Sequence, residues 1–153
     1  MSNSTNGNPS DPFDLQRFLS AQEGRIDDAL RELRTGQKTS HWIWFVFPQF
    51  DGLGHSGMAR RYAIRSLTEA SAYLQHPLLG ARLLACTLAV NSVAGRSAHQ
   101  ILGSPDDMKF RSSMTLFESV PGADAAFSAA LEKYYAGQRD VATLRLLEAS
   151  AAG

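Results

Sequence analysis

"HPLLGARLLACTLAVN", residues 76–91, decides the fold class. From about Pro77 to Asn91 this run is apolar on nearly every side of a helix, through Leu78, Leu79, Leu83, Leu84, Leu88 and Val90. A helix that is apolar all round must be enclosed by other elements, so the sequence predicts a central helix with a bundle built around it. The run falls short of the roughly 20 residues that a membrane span needs. Its Cys86 is the only cysteine in the chain, so it can form no internal disulfide, and it reads as a small buried hydrophobe rather than a catalytic thiol.

Working outward, the flanking segments are also helical. "SLTE" (66–69) matches a capping box, Ser66 with Glu69, and opens a short helix that ends near "QHP". Upstream, Asp11 is placed as an N-cap with Pro12 at the first helical position, and Leu15, Phe18 and Leu19 follow at one-turn spacing. Gly24 allows a break. Ile26, Ala29, Leu30 and Leu33 then carry a second stripe to a stop at Gly36. Downstream, Ser97 caps a single turn reaching Gly103, and Ser104 is expected to cap a helix with Pro105 at its first position. Phe110, Met114 and Phe117 fall on one inward face of that helix. "GADAAFSAALEKYYAG" is an alanine-rich helix, and Asp140 caps a last one through Leu147. Only 43–47 and 62–64 could pass as strands, and "DGLGHSG" (51–57) reads as loop. The expectation is an all-α, compact single-domain bundle of about seven short-to-medium helices over 12–148. A disordered tail is expected at 1–11 and a short C-terminal tail at 149–153.

Bulk properties narrow the function classes. The chain has 153 residues, enough for one domain with a real core. Fifteen basic and fifteen acidic side chains cancel, which argues against broad electrostatic binding of nucleic acid or an anionic membrane. The start of the chain lacks the apolar h-region of a signal peptide, so a cytoplasmic protein is expected, with a monomer as the expected state. The histidines at 41, 55, 76 and 99 are scattered without a metal-binding spacing. No phosphate loop, nucleophile elbow or dinucleotide fingerprint is present, and no cofactor is implied.

Three segments carry chemistry. The first is "HWIWFVFPQ" (41–49), in which six large apolar residues in a row, 42–47, cannot all face one side. His41, Trp42, Trp44 and Gln49 are either core or core plus the wall of a pocket. The second is "GSPDDMKFRSSM" (103–114). Asp106 and Asp107 suit the first turn of a helix, Asp107 and Arg111 form an ordinary i,i+4 pair, and Lys109 and Ser113 share a face. Beyond capping, that density of carboxylates, cations and hydroxyls is what a site needs to hold ribose hydroxyls and phosphate. The third is "GMARRYAIRS" (57–66), whose Arg60, Arg61 and Arg65 are either a solvated face or a clamp for phosphate or carboxylate.

The blocks "HWIWFVFPQF-GLG-S", "RRYAI-SL-EA-AYL-HPLLG-RL" and "GSPDDMKFRSSMTLF" resemble domain-of-unknown-function family 1810 from about Asp11 to Leu147. Its members often carry the label calpastatin. Calpain inhibitors of that kind are long, disordered and highly charged, unlike this chain. The resemblance implies a compact, mostly helical domain and assigns no activity. A fainter similarity is to the helical NADAR proteins, which act on ADP-ribose attached to nucleobases. It rests on Phe18, Ala21 and Gln22, on "HP-L---LL" (76–84), and on "SP-D" (104–107), with "MKFRSS" where that family has Trp-Gly.

Together these readings lead to a pocket for a small, flat, anionic ligand such as a nucleotide or ADP-ribose derivative. His41, Trp42, Trp44, Gln49, Arg60, Arg61, Lys109, Arg111 and Ser113 would bind it. If the pocket is catalytic, hydrolysis of an N-glycosidic bond is the reaction the NADAR likeness implies, with Asp107 or Asp106 steadying an oxocarbenium-like centre or activating water. The alternative is a non-catalytic structural or protein-interaction module.

Overall fold

The computed structural model describes residues 10–152, and the tail expected at the start of the chain lies largely outside them. Ten helices occur among the described residues. They are α1 (Gln16–Gln22), α2 (Ile26–Thr35), α3 (Ile43–Val46), α4 (Gly57–Arg61), α5 (Leu67–Gln75), α6 (Leu79–Asn91), α7 (Ala98–Leu102), α8 (Asp106–Glu118), α9 (Ala125–Tyr135) and α10 (Val141–Ala152). The number exceeds the seven or so expected mainly because of two short elements. α3 is four residues inside the aromatic run, too short to show a period. α4 opens within the glycine-rich stretch, where the Ser56 hydroxyl accepts the Ala59 N–H at 3.1 Å. Of the two candidate strands, the first is α3, and the second contributes Ile64 to an isolated parallel bridge with Phe50. No helix among the described residues is long and apolar enough to cross a membrane.

Helix ends follow local chemistry closely. Gly36 adopts a left-handed φ of 84° and stops α2. Ser97 and Gln100 form the two reciprocal bonds of a capping box on α7. At α5 the Ser66 hydroxyl accepts the Glu69 N–H at 3.0 Å, while the Glu69 carboxylate reaches one residue beyond the box to the Arg65 N–H. Replacing Ser66 with alanine is expected to lower stability by about 1 kcal/mol, read as a shift in the urea midpoint at unchanged slope.

Two starts differ from expectation. Asp11 and Pro12 lie before α1 rather than at its N-cap and first position: Asp14 sits at φ 52°, the helix starts at Gln16 after Leu15, and the Asp11 carboxylate accepts the Leu15 and Gln16 N–H groups at 2.7 and 3.0 Å from outside it. α8 starts at Asp106 with Pro105 as its N-cap residue rather than its first position, and Ser104 makes no capping bond there; the Gly103 carbonyl accepts the Asp107 N–H at 2.8 Å, and the Ser104–Pro105 peptide is cis. At the other end of the chain, Asp140 caps α10 as expected, and the helix continues past Leu147 to Ala152.

The centre is shared by two helices. α6 packs against α2, α3, α5 and α9, burying Leu79, Leu83, Cys86 and Val90. It is not enclosed all round, since Leu88 is 51 % exposed and Leu78, just before it, 50 %. α8 packs against α3, α5, α7, α9 and α10 and buries every residue from Ser112 to Phe117. Ser112 and Thr115 are buried without loss because each hydroxyl donates to the carbonyl one turn back, Met108 at 3.1 Å and Arg111 at 2.9 Å. A chain of rings runs through the core, with Phe18 edge-on to Tyr73 at 5.0 Å, then Phe117 and Phe127. At the α5–α6 turn a side chain on Gly80 would meet the Leu74 carbonyl oxygen at 2.1 Å, so only glycine fits that approach.

Candidate functional site

The ring-rich and ion-rich segments meet. Phe47 packs edge-on to Phe110 with centroids 4.8 Å apart, which seats α3 on the first half of α8. The linker between α2 and α3 completes the junction. Its Lys38 N–H donates to the Ile101 carbonyl at 2.7 Å, and the ammonium of the Lys38 side chain, which is only 7 % exposed, pairs with Asp106 Oδ2 at 2.7 Å. That ammonium also lies 5.0 Å from the Trp42 ring centroid.

Beneath the linker sits Glu32, 5 % exposed. Its Oε1 accepts the Thr39 N–H, the Ser40 N–H and the Trp42 indole N–H at 2.8, 3.0 and 2.9 Å, and Oε2 accepts the Ser40 hydroxyl at 2.5 Å. Burial alone would raise its carboxyl pKa. The donors from Ser40, Thr39 and Trp42 outweigh burial and hold it down at about 2.

Next to this knot the polar groups change character. Lys109 Nζ lies 5.1 Å from the Trp44 ring centroid and has no acidic partner among the described residues. Trp44 Nε1 and Ser113 Oγ are both buried, and neither has a hydrogen-bond partner among the described residues. Ser113 is one turn beyond Lys109 on the same face of α8, and unlike Ser112 and Thr115 it does not return its hydroxyl to the helix. A buried polar group left unpaired costs about 1–3 kcal/mol.

The remaining candidates lie elsewhere or are held by structural partners. Trp42 is fully enclosed with its indole on Glu32. His41 is exposed, and its carbonyl accepts from Arg25 at 2.9 Å. Gln49 is partly buried, and its carbonyl accepts the Ile64 N–H at 2.9 Å. Asp107 lies 3.5 Å from the His99 ring, and its backbone carbonyl accepts the Tyr135 hydroxyl at 2.5 Å. Arg111 donates to the carbonyls of Gln138 and Arg139 at 2.8 and 3.2 Å, closing the loop after α9 rather than pairing with Asp107. Arg60 and Arg61 are exposed on α4, away from this junction.

Lys38 and Glu32 were not singled out from sequence. Glu32 does carry a signal, since it directly precedes Leu33 in the stripe that also contains Ala29, where a carboxylate needs a reason to be buried. Lys38 carries none beyond its charge. Among the described residues no group of three or more His, Cys, Asp or Glu is placed to hold a metal.

Among the cavities on the surface are three open ones with volumes of about 430, 460 and 610 Å³. The first lies between α5, α6 and the α8–α9 turn, the second beside Asp11 and His76, and the third beside Arg61 and Arg65. Neither tryptophan, and none of the candidate residues of α8, lines any of them.

The architecture is that of an all-helical domain whose dense polar seam joins a short aromatic helix to a central one. The chain belongs to the family described as protein of unknown function DUF1810, whose model matches residues 12–147. It is similar to the crystal structure of the conserved hypothetical protein Rv1873 from Mycobacterium tuberculosis, with 55% identity and a TM-score of 0.89. That match covers 90% of this chain and 99% of the other. No curated protein matches the sequence.

Proposed function

We propose that this protein binds a small, flat, anionic ligand of the nucleotide or ADP-ribose class at the seam between α3 and the first turns of α8. One observation carries the reading: Trp44 Nε1 and Ser113 Oγ are buried without hydrogen-bond partners among the described residues, and Lys109, which packs on the Trp44 ring one turn before Ser113, has no acidic partner among them. The indole N–H, the hydroxyl and the ammonium can each donate and have no acceptor among the described residues, so a complementary ligand brings acceptor oxygens. The indole adds a planar surface. The ligand class itself rests only on the faint resemblance of a few residues to the NADAR proteins, which the family match does not include.

The test is a thermal-shift series with AMP, NAD and ADP-ribose on the wild type, Lys109→Ala and Ser113→Ala. A ligand present at 100 times its Kd stabilises the native state by about 2.7 kcal/mol, which moves the midpoint measurably. Lys109→Ala is expected to abolish the shift. Ser113→Ala is expected to weaken it while leaving the ligand-free midpoint unchanged or slightly raised, because it removes an unpaired buried hydroxyl. Release of free base from the bound compound, lost in Asp107→Asn, would extend binding to N-glycosidic hydrolysis. If no compound moves the midpoint at millimolar concentration, the ligand reading fails. The interaction-module reading then stands, with Leu78 and Leu88 as its contact candidates.

A further inference from the structure

On another face of the molecule a second group of side chains converges. Arg17 uses all of its donors to tie the chain together there. Nε donates to the Arg61 carbonyl, Nη1 to the carbonyls of Phe13 and Asp14, and Nη2 to the Ala63 carbonyl and Glu69 Oε2. Glu69 is equally committed, since its other oxygen accepts the Arg65 N–H. These two neutralise each other and make a fixed floor under an open groove of about 610 Å³, a volume within the usual range for small-molecule sites.

Three charged side chains line that groove without a hydrogen bond or ion pair to another side chain among the described residues. Arg61, whose guanidinium lies 5.7 Å from the Tyr62 ring centroid, and Arg65 come from the chain around α4, and Asp14 belongs to the turn before α1. Asp14 is held at φ 52°, a left-handed conformation that Asp tolerates better than most residues. Two guanidinium forks match the oxygens of a phosphate, and a lone carboxylate matches donor hydroxyls at a distance from it.

We infer that this groove is a binding site for a phosphate ester that also bears hydroxyl groups, with Arg61 and Arg65 holding the phosphate and Asp14 the hydroxyls. It is separate from the α3–α8 seam and does not depend on the function proposed there.

The experiment is titration calorimetry at low salt on the full chain, with inorganic phosphate, ribose 5-phosphate and phosphoethanolamine as probes. Ribose 5-phosphate is expected to bind tightest. Arg61→Ala with Arg65→Ala is expected to weaken all three by at least about tenfold, and Asp14→Asn to weaken ribose 5-phosphate by about tenfold while leaving inorganic phosphate unchanged. Asparagine also tolerates the left-handed backbone, so the comparison isolates the charge. Both arginines are exposed, and an unchanged thermal midpoint checks that the double variant folds; Arg65→Lys, which keeps the charge but not the fork, is the milder version and should show a smaller loss. Lys109→Ala should change none of these affinities, which separates the groove from the seam. Four results overturn the inference: no probe binds, arginine replacement leaves affinity intact, Asp14→Asn weakens all probes alike, or another probe is held as tightly as ribose 5-phosphate.

Discussion

Glu32→Ala is expected to destabilise the protein by about 4 kcal/mol at neutral pH, because it strands several donors in a buried site at once. The carboxylate ends two backbone N–H groups of the α2–α3 linker, the Ser40 hydroxyl and the Trp42 indole. Among the described residues no other acceptor is supplied to the Trp42 indole, which is fully enclosed. Urea unfolding followed by tryptophan emission reads both the loss and the altered indole environment.

The same residue sets an acid limit. Its folded pKa is depressed to about 2 from an ordinary 4.5, so its contribution is complete above about pH 4.5 and drains away as pH falls toward 2. The stability gap between wild type and Glu32→Gln should therefore be widest near neutrality and shrink across that interval. Glutamine keeps one acceptor oxygen but turns its amide donors toward other donors. A variant as stable as the wild type at pH 7 would show that the linker is held by something else.

Arg17→Ala is expected to cost about 3–5 kcal/mol, the range for removing one partner of a buried pair. The Arg17 and Glu69 side chains are 10% and 4% exposed, so the abandoned carboxylate stays in a site that water hardly reaches. Four backbone carbonyls, from two stretches of chain more than forty positions apart, each lose a bond to the guanidinium as well, although that of Asp14 keeps the N–H of residue 17. Arg17→Lys should recover little, because a single ammonium cannot serve acceptors spread around a planar fork. Combining Arg17→Ala with Glu69→Gln should be milder than the sum of the two, since the stranded charge is gone. Strict additivity in denaturant melts would contradict the pairing.

Much of the fold was legible because it is written in short-range chemistry. Ser66, Ser97 and Gly36 act within one turn of themselves, and their roles need no knowledge of the rest of the molecule. The α8 polar residues were harder, because Ser112 and Thr115 look like a solvated face until their hydroxyls are seen to fold back on the helix. α3 could not be read at all by period, being a single turn.

For the site, the meeting of the aromatic run with α8 was only supposed from sequence, since neither segment names its partner, and the form of the contact was not legible. The two segments touch through Phe47 and Phe110 without one of the three cavities between them. Asp107 and Arg111 illustrate why. Their spacing suits an ion pair, yet Arg111 turns to carbonyls 27 and 28 positions away, and a local pattern cannot report a partner that distant. Lys38 and Asp106 find each other across 68 positions for the same reason (106 − 38).

Gly80 has a mechanical corollary. The Leu74 carbonyl rests against its bare α-carbon, and both residues border the opening of about 430 Å³ between α5, α6 and the α8–α9 turn. The gauge of that slot is thus set by main chain touching main chain, so rotamer changes can roughen its walls but cannot draw them together.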